Sequence, residues 1–181
     1  MTSSLITKKK IAKAFKKQMA FKPFEKISVV DIMMEANIRR QTFYNHFVDK
    51  YELLDWVFKT ELQEQVTDNL NYISGFHLLE ELIFYFERNQ SFYKQLFDIK
   101  EQNDFYHSFE QYCFILMEKI ISEHEKTNAH HIEEKEKCFL IQYHAKALAN
   151  MIKSFTLEKD FFLVASQIKA VIQKSLVRIR R

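Results

Sequence analysis

Glycine and proline are almost missing from this 181-residue chain, which has one of each and two cysteines. Hairpins and βαβ crossovers need turn-making residues, so that scarcity excludes a β sandwich or a doubly wound sheet. One glycine cannot build a glycine-rich phosphate loop. Two cysteines supply neither a disulfide framework nor a cysteine-rich zinc site. No run of about 18 apolar residues is there to span a membrane, and the start, MTSSLITKKK, lacks a signal peptide's apolar core. The expected setting is cytoplasmic, with no membrane partner. What the chain does have is 47% hydrophobic residues and eighteen phenylalanines, enough to bury a sizeable core. An all-α protein follows.

Charge is unevenly spread. Residues 1–60 carry twelve Lys/Arg against six Asp/Glu, whereas residues 61–181 carry fifteen against eighteen. A basic head on a mildly acidic body suits a polyanion, either nucleic acid or an anionic membrane surface. Charge alone is equally consistent with a solvated lysine-rich helix.

Periodicity and capping sharpen the choice. Ile11, Phe15 and Met19 recur every four residues, predicting a helix from Thr7 to Phe21 that Lys22-Pro23 stops. Ser28, with Asp31 three residues on, is a start signal for a short helix with Val29, Ile32, Met33 and Ala36 inward. Asn37 suits a left-handed stop. Only Asn37 and Ile38 separate it from a second helical stretch, Arg40 to Phe47, with Phe43 and Phe47 on its buried face. Asp49 and Glu52 then cap a longer helix running towards Tyr72.

Two short helices about a tight turn, beside a basic helix, make a helix-turn-helix module. The second helix turns Arg40, Gln41, Tyr44, Asn45 and His46 outward. Arg pairs with guanine edges, and Gln or Asn with adenine. Thr42, Ser28 and Lys50 around them suit phosphate contacts. The remainder reads as apolar helical stripes, with a charged connection somewhere in 122–137 and a last helix opened by Phe161 and Phe162. The expected division is a helix-turn-helix DNA-binding domain, residues 1–55, and a helical body, residues 56–181.

The stretch ISVVDIMMEANIRRQTFYNHFVDKYELL resembles the TetR-type transcriptional regulators. Thr42, Phe43, Tyr44, His46, Phe47, Lys50 and Leu53 stand where that pattern asks. Three positions depart: Asn37 replaces a turn glycine, Arg39 a capping Ser or Thr, and Gln41 a common glycine. The resemblance implies a TetR-like fold, with a three-helix head and a bundle that dimerises through the last two helices, about 133–153 and 160–177. It implies a palindromic double-stranded DNA operator, with Arg40, Gln41 and Asn45 facing bases. Ser28, Val29, Arg39, Thr42, Tyr44, His46 and Lys50 would contact phosphates. Arg40→Ala should then relax base preference at one position, whereas Lys50→Ala should weaken all sequences alike and flatten the salt dependence.

A narrower resemblance, carried by IRRQTFYNHF, ELLDWVF and NQSFYKQLF, is to the DhaS-type subgroup linked to dihydroxyacetone kinase operons. It implies regulation through a dihydroxyacetone-kinase-like coactivator protein docked on the body. Two alternatives stay open. One is a TetR-type repressor released by a small hydrophobic ligand, in a candidate cavity lined by Phe109, Tyr112, Met117, Tyr143 and Met151. The other is a helical adaptor whose main role is protein docking. Helical aromatic stripes are more often plain core than cavity.

No cofactor or metal is expected. His124, His130 and His131 beside Glu133 and Glu134 read as a solvated connection, because adjacent histidines diverge on a helix. Cys113 and Cys138 read as buried thiols. No paired carboxylates or nucleophile and base stand at credible spacing, so an enzyme is not expected.

Overall fold

The computed structural model describes residues 3–99, 103–128, 131–158 and 164–177, and these residues are helical with short connections. The head comprises α1 (Ser3–Met19), α2 (Val29–Ala36), α3 (Arg40–Tyr44) and the start of α4 (Lys50–Gln65). The body adds α5 (Gly75–Arg88), α6 (Gln90–Asp98), α7 (Asn103–Asn128), α8 (Glu134–Leu157) and α9 (Ala165–Val177). The boundary expected after residue 55 falls inside α4, which crosses it without a break. His130, Phe161 and Phe162 lie outside the described residues.

Local chemistry sets the head's turns. The Ser28 hydroxyl accepts from the Asp31 amide, and the Asp31 carboxylate accepts from the Ser28 amide, a complete capping box. Asn37 ends α2 at φ 51° and ψ 50°, the left-handed conformation that asparagine tolerates. The Asp49 carboxylate caps α4 by accepting from the amides of Tyr51 and Glu52. The Glu52 carboxylate reaches back to the Val48 amide.

Three helix bounds differ from expectation. α1 starts at Ser3 rather than Thr7, since nothing between them breaks a helix. α3 stops at Tyr44 rather than Phe47, because the amides of Asn45 and His46 turn to the carbonyls of Thr42 and Phe43. α4 stops at Gln65 rather than near Tyr72, giving way to a 3₁₀ turn at Thr67–Asn69. Beyond these, α7 runs on to Asn128, into the segment expected as a connection.

The buried side chains of head and body form one continuous cluster. Its centre in the body is aromatic. Phe58 of α4, Phe86 of α5, Tyr93 and Phe97 of α6, and Phe105 and Phe109 of α7 are all buried and touch ring to ring. The closest centroids, Phe86 and Tyr93, are 4.3 Å apart. Edge and tilted contacts of this kind add to the burial of their large surfaces.

The single glycine has a packing reason. A Cβ on Gly75 would lie 2.5 Å from Ile120 Cγ1 and 3.1 Å from the Ile120 backbone, so α5 begins where only a bare backbone fits against α7. α7 packs chiefly along α8. His144 of α8, 5% exposed, has Nε2 2.8 Å from Ser175 Oγ on α9. The Ser175 hydrogen goes to the Ile172 carbonyl, so the imidazole is the donor. Burial lowers the pKa of His144 from its ordinary value.

Cys113 is fully buried, and burial pushes its thiol up. Cys138, also expected inside, is exposed near the start of α8 beside the exposed Phe139. Apolar neighbours made both positions look alike in sequence, but at this end of α8 Leu140 and Ile141 face inward and Cys138 and Phe139 outward.

Candidate nucleic-acid interface

The outward surface of α3 is built on two aromatic pegs. Phe43 and Phe47 are buried with ring centroids 5.6 Å apart, and Phe47 packs on Trp56 of α4 at 5.7 Å. Those pegs fix the rotation of α3, leaving Arg39, Arg40, Gln41, Tyr44 and Asn45 exposed. Thr42 and His46 are half-buried at its flanks. Arg39 occupies the cap position of α3 with an extended backbone and makes no capping bond, as its side chain has no acceptor to offer.

Arg40 is held before any duplex arrives. Its Nη2 donates to the Tyr44 hydroxyl at 3.1 Å, and its guanidinium lies 5.7 Å from the Tyr44 ring centroid. Tyr44 in turn rests edge-on against Phe43 at 5.5 Å. A planar fork standing on an aromatic face is well suited to a base edge.

The phosphate-contact candidates divide. The Ser28 amide and hydroxyl both donate to the Asp31 carboxylate, at 2.9 and 2.7 Å. The Ser28 amide, followed by its hydroxyl and then Lys22, holds the Asp31 carboxyl down at about 2. Neither Ser28 donor is left for a phosphate. The first-turn amide of Val29 has no partner within the helix and remains suited to one.

Lys50 differs most from expectation. Its Nζ donates to the carbonyls of Phe24, Glu25 and Ile27 at 2.8, 3.0 and 3.0 Å, and sits 4.5 Å from the Phe24 ring centroid. An ammonium group has three donors, so all are taken. Desolvation lowers its pKa from the ordinary lysine value.

Several other head lysines face carboxylates. Lys9 pairs with Glu64, Lys16 with Glu61, Lys17 with Glu35, and Lys22 with Asp31. The exposed ones add little stability, Lys16–Glu61 is half-buried, and all four leave a weaker field than the raw count of lysines implied.

Across 178 residues the chain is 38% identical to the DhaS activator of the dhaKLM operon from Lactococcus lactis, covering 96% of this chain and 94% of that one. The chain belongs to the TetR family of transcriptional regulators.

A solved structure titled as the dihydroxyacetone kinase operon activator DhaS agrees. It matches with a TM-score of 0.90 and 35% identity, over 98% of this chain and 99% of that chain. Residues 74–159 match the family model for a TetR transcriptional regulator C-terminal region. A TetR regulator from Streptococcus agalactiae, 20% identical, matches the fold with a TM-score of 0.62, over 98% and 96% of the two chains. The TetR-like all-α fold and the kinship with DhaS are therefore established. The homologues are regulators and not enzymes.

The ligand cavity expected for a TetR repressor is not assembled from the residues named for it. Phe109 and Met117 are fully buried in the aromatic core. Tyr112 lies at its edge and donates its hydroxyl to the Lys59 carbonyl at 3.2 Å. Tyr143 and Met151 are exposed, 58% and 37%, on the outer side of α8. A shared apolar character had grouped positions that point in opposite directions. Among the described residues no cluster of His, Cys, Asp or Glu could hold a metal ion, and no helix is long and apolar enough to cross a membrane.

Two features of the head escaped the sequence. Gln95 of α6 accepts from the Phe24 amide at 2.8 Å and donates to the carbonyls of Met19 and Lys22. Lys16 reaches from α1 to Glu61 and to Asn89, and Glu61 also accepts from the Tyr85 hydroxyl, which pairs with Tyr93 at 2.8 Å. Burial and the neighbouring Glu61 push the Tyr85 hydroxyl far above its usual range, keeping it a donor. A half-buried glutamine or lysine in an amphipathic helix carries no sequence signal that separates it from a solvated one.

Proposed function

We propose that this TetR-family regulator acts as a homodimer on a two-fold-symmetric operator controlling a dihydroxyacetone kinase operon, and that it activates transcription when a kinase-like protein docks on its body. The observation that carries the DNA reading is the outward set Arg40, Gln41 and Asn45 on a helix whose rotation is fixed by the buried Phe43 and Phe47. Two such helices, one from each copy, would enter major grooves about one helical turn, ~34 Å, apart. Arg39, Thr42, Tyr44, His46 and the Val29 amide would hold the backbone.

Support for the dimer comes from the last two helices. α8 exposes Phe139, Tyr143 and Met151, and α9 exposes Val171 and Val177. Phe139 and Tyr143 stack at 6.0 Å between centroids. Large apolar groups clustered in solvent mark an interface. Support for a protein effector comes from the body, where packed rings occupy the space between α4, α5, α6 and α7. The operon and the sign of regulation follow the relative's name, DhaS activator of the dhaKLM operon.

A gel-shift titration on DNA upstream of a dihydroxyacetone kinase operon tests the proposal. The shift, or the transcription that follows from it, should respond to dihydroxyacetone only when the kinase-like protein is present. A response to the metabolite alone would instead establish a small-molecule site in the body.

A further inference from the structure

The helix-turn-helix unit is stapled shut at its two ends by one side chain. The Ile27 carbonyl stands immediately before Ser28, the cap of α2, and Lys50 immediately follows Asp49, the cap of α4. Between them lie α2, the Asn37 turn and α3. We propose that Lys50 is a positioning residue for DNA binding, fixing the N-terminus of α2 against the exit from α3 through three main-chain carbonyls, and is not itself a phosphate contact.

Three observations converge on this role. The carbonyls of Phe24, Glu25 and Ile27 meet at one nitrogen within 2.8–3.0 Å, leaving no N–H to offer. The ammonium also sits 4.5 Å from the Phe24 ring centroid and 5.8 Å from that of Tyr51, so its approach to solvent is partly walled by aromatic surface. The same Phe24 gives its amide to Gln95 of α6. One peptide segment is thus held from the body by Gln95 and from α4 by Lys50. Moving Lys50 to a phosphate would break three bonds together, two of them part-buried, and would leave the Ile27 carbonyl to find a new partner.

The proposal rests on the DNA-binding reading, and its test separates the two. Operator and random duplex are titrated against the wild type, Lys50→Met and Lys50→Arg across a range of salt, with folding of each variant checked by circular dichroism. Arginine keeps the charge but spreads its donors over a rigid fork, which cannot aim three N–H groups from one atom. Both variants should bind the operator about tenfold more weakly, as expected when charge-assisted hydrogen bonds are lost. Random duplex should be bound as before, with the salt slope unchanged.

A phosphate role gives the opposite result. Lys50→Arg would keep full affinity, and Lys50→Met would weaken both duplexes alike with a slope shallower by about 1.8 for two lysines per dimer. Either outcome, or wild-type operator affinity in both variants, overturns the proposal. Reductive methylation of the wild type reads the same point without mutation. Lys50 should stay unmodified with and without operator, and a Lys50 that is methylated in the free protein overturns the proposal even if no duplex binds. Failure of the wild type to shift any duplex would count against the DNA-binding reading alone.

Discussion

Two surfaces of this chain stay open, and their chemistry is opposite. The outer side of α3 is polar and charged, with Arg39, Arg40, Gln41 and Asn45 over a buried aromatic base. The outer sides of α8 and α9 are apolar, with Phe139, Tyr143, Met151, Val171 and Val177 in solvent. The body's core is a set of packed rings, in which Phe109 is buried, while Tyr143 and Met151 lie outside it. The first surface suits hydrogen-bond patterns and the second suits burial against a like surface.

The contrast can be broken first at its base. Phe43→Ala removes the peg under the polar surface and should destabilise the protein by about 3–5 kcal/mol, measured by urea unfolding. Operator binding should disappear with it, since the rotation of α3 is no longer fixed. A charge on the apolar surface comes next. Tyr143→Asp should weaken self-association by about 2–4 kcal/mol while leaving the helical signal intact, measured by sedimentation equilibrium with circular dichroism. Operator affinity should fall in parallel, although the residue lies on the body.

Smaller effects sharpen the polar side. Arg40→Ala should cost about 1–3 kcal/mol on the operator and relax preference at one base position, read by competition with single-base variants. Equal losses on operator and random duplex would remove Arg40 from base reading. The smallest effect is pH-dependent. Asp31 has a folded pKa of about 2 against an ordinary 3.8, so its charge stabilises the α2 cap fully above that ordinary value. The contribution is lost as pH falls through about 2. Melting temperatures of the wild type and Asp31→Asn should therefore converge as pH is lowered from 5 towards 2.

How much of this was legible beforehand depended on distance along the chain. Ser28 with Asp31, Asn37, and Asp49 with Glu52 act within three or four residues, and their caps and turn stand where the sequence placed them. The burial of Phe43 and the exposure of Arg40 and Gln41 follow from helical period, whereas Phe47 is buried from beyond the end of α3. The carbonyl contacts of Lys50 were not legible because its partners lie more than twenty residues away and are carbonyls, which every residue has. The cavity was misread because α8 is apolar on more than one side. An outer apolar surface and an inner one look the same in sequence, so Tyr143 and Met151 were grouped with the buried Phe109 and Met117. Gln95 acts across the same kind of gap, from α6 to the segment before α2.

Sedimentation of the full chain on a duplex from upstream of a dihydroxyacetone kinase operon, at low ionic strength, is the most direct measurement. Two chains per duplex at saturation, with Arg40→Ala reducing preference for that duplex over random DNA, is the expected result. One chain per duplex, or equal binding to every duplex offered, would contradict a symmetric pair of recognition helices.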